Sequence, residues 1–227
     1  MVRRFGVKAT VAHALRTLFW PVADVGTLLV FARNVGSDPV PKPANGLQVR
    51  IGTVDDCSDL AKMIDSPLPG HRGRIASPEE LTRRSADYER RLARGDRLYV
   101  IFDSAGGQPV HMRWNTTHAE LIPECLLWIV PPPGTAYTFD VFTHDAFRGR
   151  DLIAHSRTFS DADLRALGID RVYWYTRQDN HSCLRATPTN AEDHHRLRYL
   201  RFGSPTAPVF VSPLGALLPP ISRHASR

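Results

Sequence analysis

Residues 137–176 carry the pattern that most constrains the fold of this chain. An apolar-rich run ends at Thr143, a turn with two arginines and one glycine follows, and a helical pattern that stops at Gly168 leads into a second apolar run at 171–176. This order of strand, turn, helix and strand is typical of a βαβ unit. The turn that opens the helix of such a unit presents backbone N–H groups, which favour an anionic phosphate. The sequence therefore predicts a phosphate-binding turn at residues 144–150.

The hydrophobic pattern around this unit predicts strands that pair mostly antiparallel. Short apolar or alternating runs predict strands at 27–33, 47–51, 98–102, 109–114, 121–130 and 208–211. Apolar spacing and end signals predict helices at 10–20, 53–65, 77–94 and 191–201. Because there is only one crossover, the sequence predicts an α+β fold with a mixed, mostly antiparallel sheet, a central βαβ crossover and flanking helices. A doubly wound dinucleotide-binding fold needs several crossovers and is not expected.

One predicted helix has strong signals at both ends. Ser77 precedes Pro78 and stands three residues before Glu80, which is the spacing of a capping box with proline at the first helical position. Gly95 follows the last helical position and is typical of a helix end. The helix is therefore expected to run from the Ser77 cap to about Arg94.

The charge balance favours anionic partners. Lys and Arg number 29 against 23 Asp and Glu, which gives a formal net charge of +6 and an isoelectric point near 9.6. The basic residues are scattered, with no run of five like charges, so we expect no dedicated nucleic-acid site. The cysteines are odd in number and lack CxxC spacing, and the histidines lack HExxH spacing. We therefore expect a reducing, cytoplasmic location and no metal.

The ends of the chain are expected to flank one domain. Residues 1–46 read as an extension with a helix, a strand and a linker, 47–212 as the domain, and 213–227 as a loose tail. The basic amphipathic helix predicted within residues 1–20 is expected to pack against the domain. In the alternative it makes a peripheral contact with the inner face of a membrane.

The residues after each strand of the βαβ unit support a resemblance to a known family. The chain resembles the GCN5-related N-acetyltransferase (GNAT) superfamily from about residue 47 to residue 211. The carrying motifs are 147–153 (Phe-Arg-Gly-Arg-Asp-Leu-Ile), Asp179-Asn180 after the second strand, and 199–203 (Tyr-Leu-Arg-Phe-Gly). The resemblance implies a GNAT-like fold and a turn whose backbone N–H groups hold the pyrophosphate of an acyl-coenzyme A.

The turn departs from the family pattern at two positions. Asp151 and Ile153 stand where the family has glycine or alanine. Glycine allows close approach of backbone to phosphate. A carboxylate at this helix end would repel a pyrophosphate, by about 4 kcal/mol at 4 Å and an effective dielectric constant near 20. Arg148 and Arg150 can offset much of that repulsion. The turn is therefore interpreted as degenerate.

The resemblance also implies roles for individual residues. It implies Asp140 as a general base, through water or directly, and Tyr199 as the general acid for the leaving thiolate. The residues implied in cofactor binding are Phe142, Thr143, Arg148, Gly149, Arg150, Asp151, Leu152 and Asn180. Ordinary structural roles remain open: a salt-bridged strand carboxylate, a core-edge aromatic, a helix cap and solvated turn charges.

The implied activity is transfer of an acetyl or other acyl group from coenzyme A to an amine acceptor, either a small molecule or a protein. The transfer would be direct, with general acid and base help, and acyl-CoA would be a co-substrate. Two alternatives stay open. One keeps the fold and takes the acyl group from an acyl-carrier protein. The other is a non-catalytic GNAT-like module that binds a partner or a membrane.

Overall fold

The computed structural model describes residues 23–37, 46–64, 76–202, 209–213 and 221–222. The chain forms two compact units. The central unit comprises residues 34–118 and 133–172, and the terminal unit comprises residues 1–33, 119–132 and 173–227. Each unit is a mixture of strands and helices.

The described strands and helices follow one another in an α+β order. The strands are β1 (Ala23–Asn34), β2 (Leu47–Ile51), β3 (Arg97–Asp103), β4 (Pro109–Thr116), β5 (Glu120–Ile122), β6 (Leu127–Ile129), β7 (Thr135–Thr143), β8 (Arg171–Arg177), β9 (Glu192–Phe202), β10 (Val209–Pro213) and β11 (Ile221–Ser222). The α-helices are α1 (Cys57–Met63), α2 (Pro78–Ala93), α3 (Leu152–Ala166) and α4 (His181–Ala186). The predicted order of strand, turn, helix and strand is confirmed in β7, α3 and β8.

The central unit is built on the antiparallel sheet β2-β3-β4-β7. The strands predicted at 98–102 and 109–114 are confirmed as β3 and β4, which pair antiparallel as a hairpin. One side of the core holds Ile101, Val110 and Leu152, which are almost completely buried. Leu152 is the first residue of α3, so this cluster fixes the start of that helix against β3 and β4.

The helix ends follow the local signals. The capping box at the start of α2 is confirmed, with the Glu80 N–H donating to Ser77 Oγ at 3.3 Å and the Ser77 N–H donating to Glu80 Oε2 at 2.9 Å. Gly95 has φ 97°, a left-handed conformation that ends the helix. The predicted helix at 53–65 is a short 3-10 turn, Val54–Asp56, followed by α1.

The terminal unit corrects one predicted helix. Residues 191–201 are not helical: they form most of β9, which pairs antiparallel with β1 and with β10. Leu197 and Tyr199 are buried and Arg198 between them is exposed, a two-residue period that suits a strand. The pairing partner β1 lies far away in sequence, so it was not visible in the local pattern.

Two other segments differ from the predictions. The run at 121–130 is not one strand but the pair β5 and β6, because the turn between them includes Leu126 in a left-handed conformation. The segment after Asn180, where no helix or strand is predicted before residue 191, contains the short helix α4. Within the predicted tail, β11 pairs with β6.

Some predictions fall outside the described residues. They are the helix at 10–20 and most of the linker and the tail. The division into extension, domain and tail stays a prediction. Among the described helices, none combines the length and the apolar character needed to cross a membrane.

Candidate functional site

A bulge interrupts β7 where the strand passes Arg113. Met112 pairs with Phe142 and Trp114 pairs with Phe139, so two residues of β7 lie opposite one residue of β4. Asp140 is one of the two and has φ 44°. A bulge re-aims side chains and releases a strand from its regular pairing. At the bulge, the Asp140 side chain is 47% exposed.

A cleft of about 340 Å³ lies beside the bulge, within the central unit. Its lining comes from the end of α1, one face of α2, β4 and the bulged part of β7: Ile64, Arg84, Asp87, Tyr88, Arg91, Met112, Asp140, Val141 and Phe142. The four residues of α2 are spaced so that they share one helical face. The cleft therefore combines apolar walls with two cationic and two anionic side chains.

Arg91 joins the helix face to the bulge. Its Nη1 donates to Asp140 Oδ2 at 2.6 Å. Its guanidinium carbon lies 4.8 Å from the ring centroid of Phe139, 5.5 Å from that of Trp114 and 5.6 Å from that of Tyr88. Three rings therefore hold one guanidinium next to the exposed carboxylate by cation–π attraction.

The basic turn after β7 has internal contacts. Arg148 Nε donates to the Thr143 carbonyl at 3.4 Å, and Arg148 Nη2 lies 2.8 Å from Asp145 Oδ1. The guanidinium of Arg150 lies over the ring of Phe147 at 4.7 Å. The Arg148 side chain is about half exposed, so these surface contacts can exchange for a stronger anion at little cost.

Two left-handed residues shape this turn. Gly149 has φ 77° and Asp151 has φ 57°. A Cβ at Gly149 would meet no atom within 4 Å, so the glycine is required here by its backbone conformation. Asp151 is the N-cap of α3 but makes no side-chain capping bond. Aspartate tolerates the left-handed region better than most residues, which explains how it occupies a position where the family has glycine.

Beneath the turn lies a buried polar network that the sequence did not reveal. His111 is completely buried, with its Nδ1 2.7 Å from Thr143 Oγ1 and its Nε2 2.7 Å from Ser156 Oγ. Arg113 Nε donates to the same Ser156 oxygen at 3.2 Å, and that hydroxyl donates to the Ile153 carbonyl at 3.1 Å. The network therefore connects the end of β7 to the first turn of α3.

The protonation of His111 follows from its surroundings. Burial, together with the charge of Arg113, lowers the pKa of His111 to about 3, so the imidazole is neutral. Each ring nitrogen has one hydroxyl partner, Thr143 Oγ1 for Nδ1 and Ser156 Oγ for Nε2, so the neutral ring donates to one hydroxyl and accepts from the other. Every member of this chain is satisfied, which favours a single rigid arrangement.

Eight of the ten predicted site residues lie together on one strand, turn and helix start of the central unit: Asp140, Phe142, Thr143, Arg148, Gly149, Arg150, Asp151 and Leu152. The side chain of Leu152 belongs to the core, which leaves its backbone as the part available to a ligand. The described residues contain no cluster of three or more metal-ligating side chains.

The other two predicted residues lie in the terminal unit. Asn180 caps α4, and its side-chain oxygen accepts from the Cys183 N–H at 3.1 Å. Tyr199 lies on β9 and not on a helix, is 2% exposed, and has the Arg177 guanidinium 5.4 Å from its ring centroid. A Cβ on Gly26 would come within 2.7 Å of the Tyr199 hydroxyl, so the glycine makes room for the phenol.

The cysteines offer no activated nucleophile among the buried positions. Burial raises the pKa of Cys57 to about 11 and that of Cys125 to about 12. A thiol with so high a pKa is protonated at neutral pH and is a poor nucleophile.

Comparison with known proteins supports the fold. No family model and no curated protein matches the sequence. The structure is similar to a tandem GNAT protein of the clavulanic acid biosynthesis pathway, with 14% identity, a TM-score of 0.53, and coverage of 91% of this chain and 59% of the other. It is also similar to a GCN5-related N-acetyltransferase from Sphaerobacter thermophilus, with 14% identity, a TM-score of 0.50, and coverage of 84% and 55%.

A third similar structure is a conserved protein of unknown function from Staphylococcus epidermidis, with 10% identity, a TM-score of 0.50, and coverage of 87% of this chain and 68% of the other. The chain thus spans less than two thirds of the length of the two GNAT proteins. The predicted resemblance to the GNAT superfamily is confirmed at the level of the fold, and the fold is α+β with a mostly antiparallel sheet.

Proposed function

We propose that this GNAT-fold protein is an acyltransferase that moves an acetyl or other acyl group from coenzyme A to an amine. The supporting observation is the local geometry of the central unit. A bulged strand, β7, leads directly into a turn with two left-handed residues at the start of α3. Such a turn directs successive backbone N–H groups outward, and the positive end of the helix dipole adds to them.

The proposed reaction needs no bound group beyond the two substrates. The amine nitrogen attacks the thioester carbonyl carbon, the new C–N bond forms and the C–S bond breaks. The nitrogen gives up one proton and the departing thiolate takes up one, so the products are an amide and free coenzyme A. Holding the two reactants in contact accounts for much of the rate in a direct transfer of this kind.

Asp140 is the proposed base. Its carboxylate lies on the bulge, is 47% exposed, and borders the cleft in which an amine would bind. Arg91 fixes its orientation through the 2.6 Å bond. The proposed acid role of Tyr199 stays a prediction, and the burial of its hydroxyl beside Gly26 does not support it.

The phosphates are proposed to bind at the start of α3. Backbone N–H groups from Gly149 to Leu152 would contact them, and Arg148 and Arg150 would add positive charge. Thr143, with its hydroxyl fixed by His111, and Phe142 would line the path of the pantetheine arm. Asn180 stays a proposed contact of the pantetheine arm, and its side-chain oxygen already accepts the Cys183 N–H as the cap of α4.

A carrier-protein donor is the second candidate, and one observation favours it. Asp145 and Asp151 place two carboxylates at the turn that would meet the pyrophosphate. The phosphopantetheine of a carrier protein has a single phosphate and lacks the adenosine end, so the two carboxylates repel it less than they repel a pyrophosphate. The terminal unit carries 12 Lys and Arg against 6 Asp and Glu, whereas the central unit is balanced, and an acidic carrier would be drawn to the former.

A titration separates the two donors. We expect acetyl-CoA to bind the full chain in calorimetry, and the double variant Arg148→Ala with Arg150→Ala to bind at least tenfold more weakly. The double variant Arg83→Ala with Arg165→Ala removes the same charge from exposed positions on α2 and α3 and should bind like the wild type. If acetyl-phosphopantetheine binds and acetyl-CoA does not, the result supports the carrier-protein donor. Absence of binding by both thioesters would contradict the proposal.

The acceptor, the location and any membrane contact remain proposals as well. We propose a cytoplasmic protein that acts on a small-molecule or protein amine. Contact with the inner face of a membrane would involve residues 1–20, which lie outside the described residues.

A further inference from the structure

The arginine of the cleft is held in an unusual way. Three aromatic rings lie within 5.6 Å of the Arg91 guanidinium carbon, yet among the described residues the group donates only one hydrogen bond, to Asp140. Its side chain is 24% exposed. Aromatic rings stack on the faces of a guanidinium and leave its in-plane N–H groups free to bond. Arg91 is therefore preorganised to receive a second planar acceptor, and a carboxylate fits that geometry best.

The neighbouring carboxylate restricts what such a ligand can be. Asp140 Oδ2 lies 2.6 Å from Arg91 Nη1, so a ligand that engages both side chains must carry its cation and its anion close together. In an α-amino acid one carbon atom separates the amine from the carboxylate. The amine can then sit against Asp140 while the carboxylate bonds the remaining N–H groups of Arg91.

The other charged side chains of the cleft are engaged by protein groups outside the Arg91–Asp140 pair. Asp87 is paired with Arg90 on the next helical turn. Arg84 Nη1 donates to the Ala61 carbonyl at 2.9 Å, so it adds positive charge while being fixed to α1. The charge balance of the cleft therefore favours a ligand with a carboxylate over a simple cationic amine.

The remaining walls are apolar. Ile64, Met112, Val141 and Phe142 line the cleft, whose volume is about 340 Å³. A volume at the lower end of the range for small-ligand sites suits a molecule the size of a single amino acid. The strained backbone of Asp140, with φ 44°, is the kind of local cost that a binding site maintains.

We infer that this cleft is the acceptor subsite and that it takes an α-amino acid with an apolar side chain, whose carboxylate binds Arg91 and whose amine faces Asp140. The inference deepens the proposed acyltransferase function and rests on it for the transfer step. The binding of the amino acid itself does not depend on the acyl donor, so it can be measured separately.

The binding test uses the full chain and three free amino acids, leucine, methionine and phenylalanine, in calorimetric titrations without acyl-CoA. We expect at least one to bind, and its amide and its decarboxylated amine to bind at least tenfold more weakly. Arg91→Gln should abolish that preference, and Arg91→Lys should reduce it, because lysine keeps the charge but lacks the planar fork. The matched control Arg83→Gln, on the exposed side of α2, should keep it.

The kinetic test uses acetyl-CoA with the same matched amines. Because Arg91 also orients Asp140, Arg91→Gln should lower kcat/KM for both acceptors, and we expect the loss for the amino acid to be at least tenfold larger than the loss for the decarboxylated amine. Failure of all three amino acids to bind the wild type would overturn the inference. So would an equal loss for both acceptors in Arg91→Gln, since that is the signature of a structural role. Amino acid binding that requires Arg91, without any transfer, would support the subsite and contradict the proposed function.

Discussion

The buried imidazole of His111 makes the stability of the protein depend on pH in a specific way. Its pKa is lowered to about 3 in the folded state, mainly by burial, whereas an exposed histidine in the unfolded chain has a pKa near 6.5. The unfolded state therefore binds the extra proton as the pH falls. The stabilisation is complete above about pH 6.5 and is lost progressively toward pH 3.

Over most of this pH range, the loss of unfolding free energy depends only on the pKa of the histidine in the unfolded chain. Between pH 8 and pH 5, protonation of one histidine in the unfolded state lowers the free energy of unfolding by about 2 kcal/mol, provided that the folded pKa stays well below 5. His111→Gln removes this term. Its amide can still bond to Thr143 and Ser156, although the variant will be less stable than the wild type near pH 8 because the fit changes.

The assay is urea unfolding followed by tryptophan fluorescence at pH 8 and at pH 5. We expect the drop in unfolding free energy between the two pH values to be about 2 kcal/mol smaller in His111→Gln than in the wild type. An equal drop in the wild type and in His111→Gln would refute the reasoning, because His111 would then titrate alike in both states.

Further substitutions at Gly52, Ser77 and Asp151 test the structure and the turn. Gly52→Ala should lower the unfolding free energy by about 1–3 kcal/mol, because its Cβ would lie 2.5 Å from buried Leu98, while Gly106→Ala, whose nearest contact would be at 3.6 Å, should be close to neutral in the same urea titration. Ser77→Ala should cost about 1 kcal/mol through loss of the capping box, measured in the same way. Asp151→Gly should stay within about 1 kcal/mol of the wild type and bind acetyl-CoA more tightly in calorimetry, whereas Asp151→Val should lose about 1–2 kcal/mol at φ 57°; weaker binding by Asp151→Gly would contradict the repulsion assigned to the carboxylate.

Local signals made much of the central unit predictable. The cap and end of α2 depend on residues that are neighbours in sequence, namely Ser77, Glu80 and Gly95. The hairpin β3–β4 likewise joins strands separated by one short turn. Where the stabilising contacts are local, the sequence pattern and the structure agree.

The terminal unit was harder to predict because distant pairing decides its structure. Residues 192–202 are a strand because β1 lies beside them, and that pairing joins segments more than 150 positions apart. Their charged and aromatic residues are compatible with a helix when they are considered alone. The turn at Leu126, which divides one apolar run into two strands, has a left-handed leucine that no turn rule would predict.

The candidate site was predictable in its chain position and not in its interactions. The basic turn and Asp140 were identified from the motif, but the bulge that exposes Asp140 depends on the register between β4 and β7. The His111 network joins residues 32 and 45 positions apart, and Arg91 reaches Asp140 across 49. The histidine content of the sequence was a weak signal, since only burial distinguishes His111 from the others.

The proposed function depends above all on binding of the phosphates of an acyl-coenzyme A by the turn at the start of α3. Hydrogen–deuterium exchange of the full chain, with and without saturating acetyl-CoA, tests it most directly. We expect slower amide exchange in peptides covering residues 142–153, and a smaller effect in the Arg148→Ala and Arg150→Ala double variant. Unchanged exchange in these peptides, at concentrations where calorimetry detects binding, would contradict it.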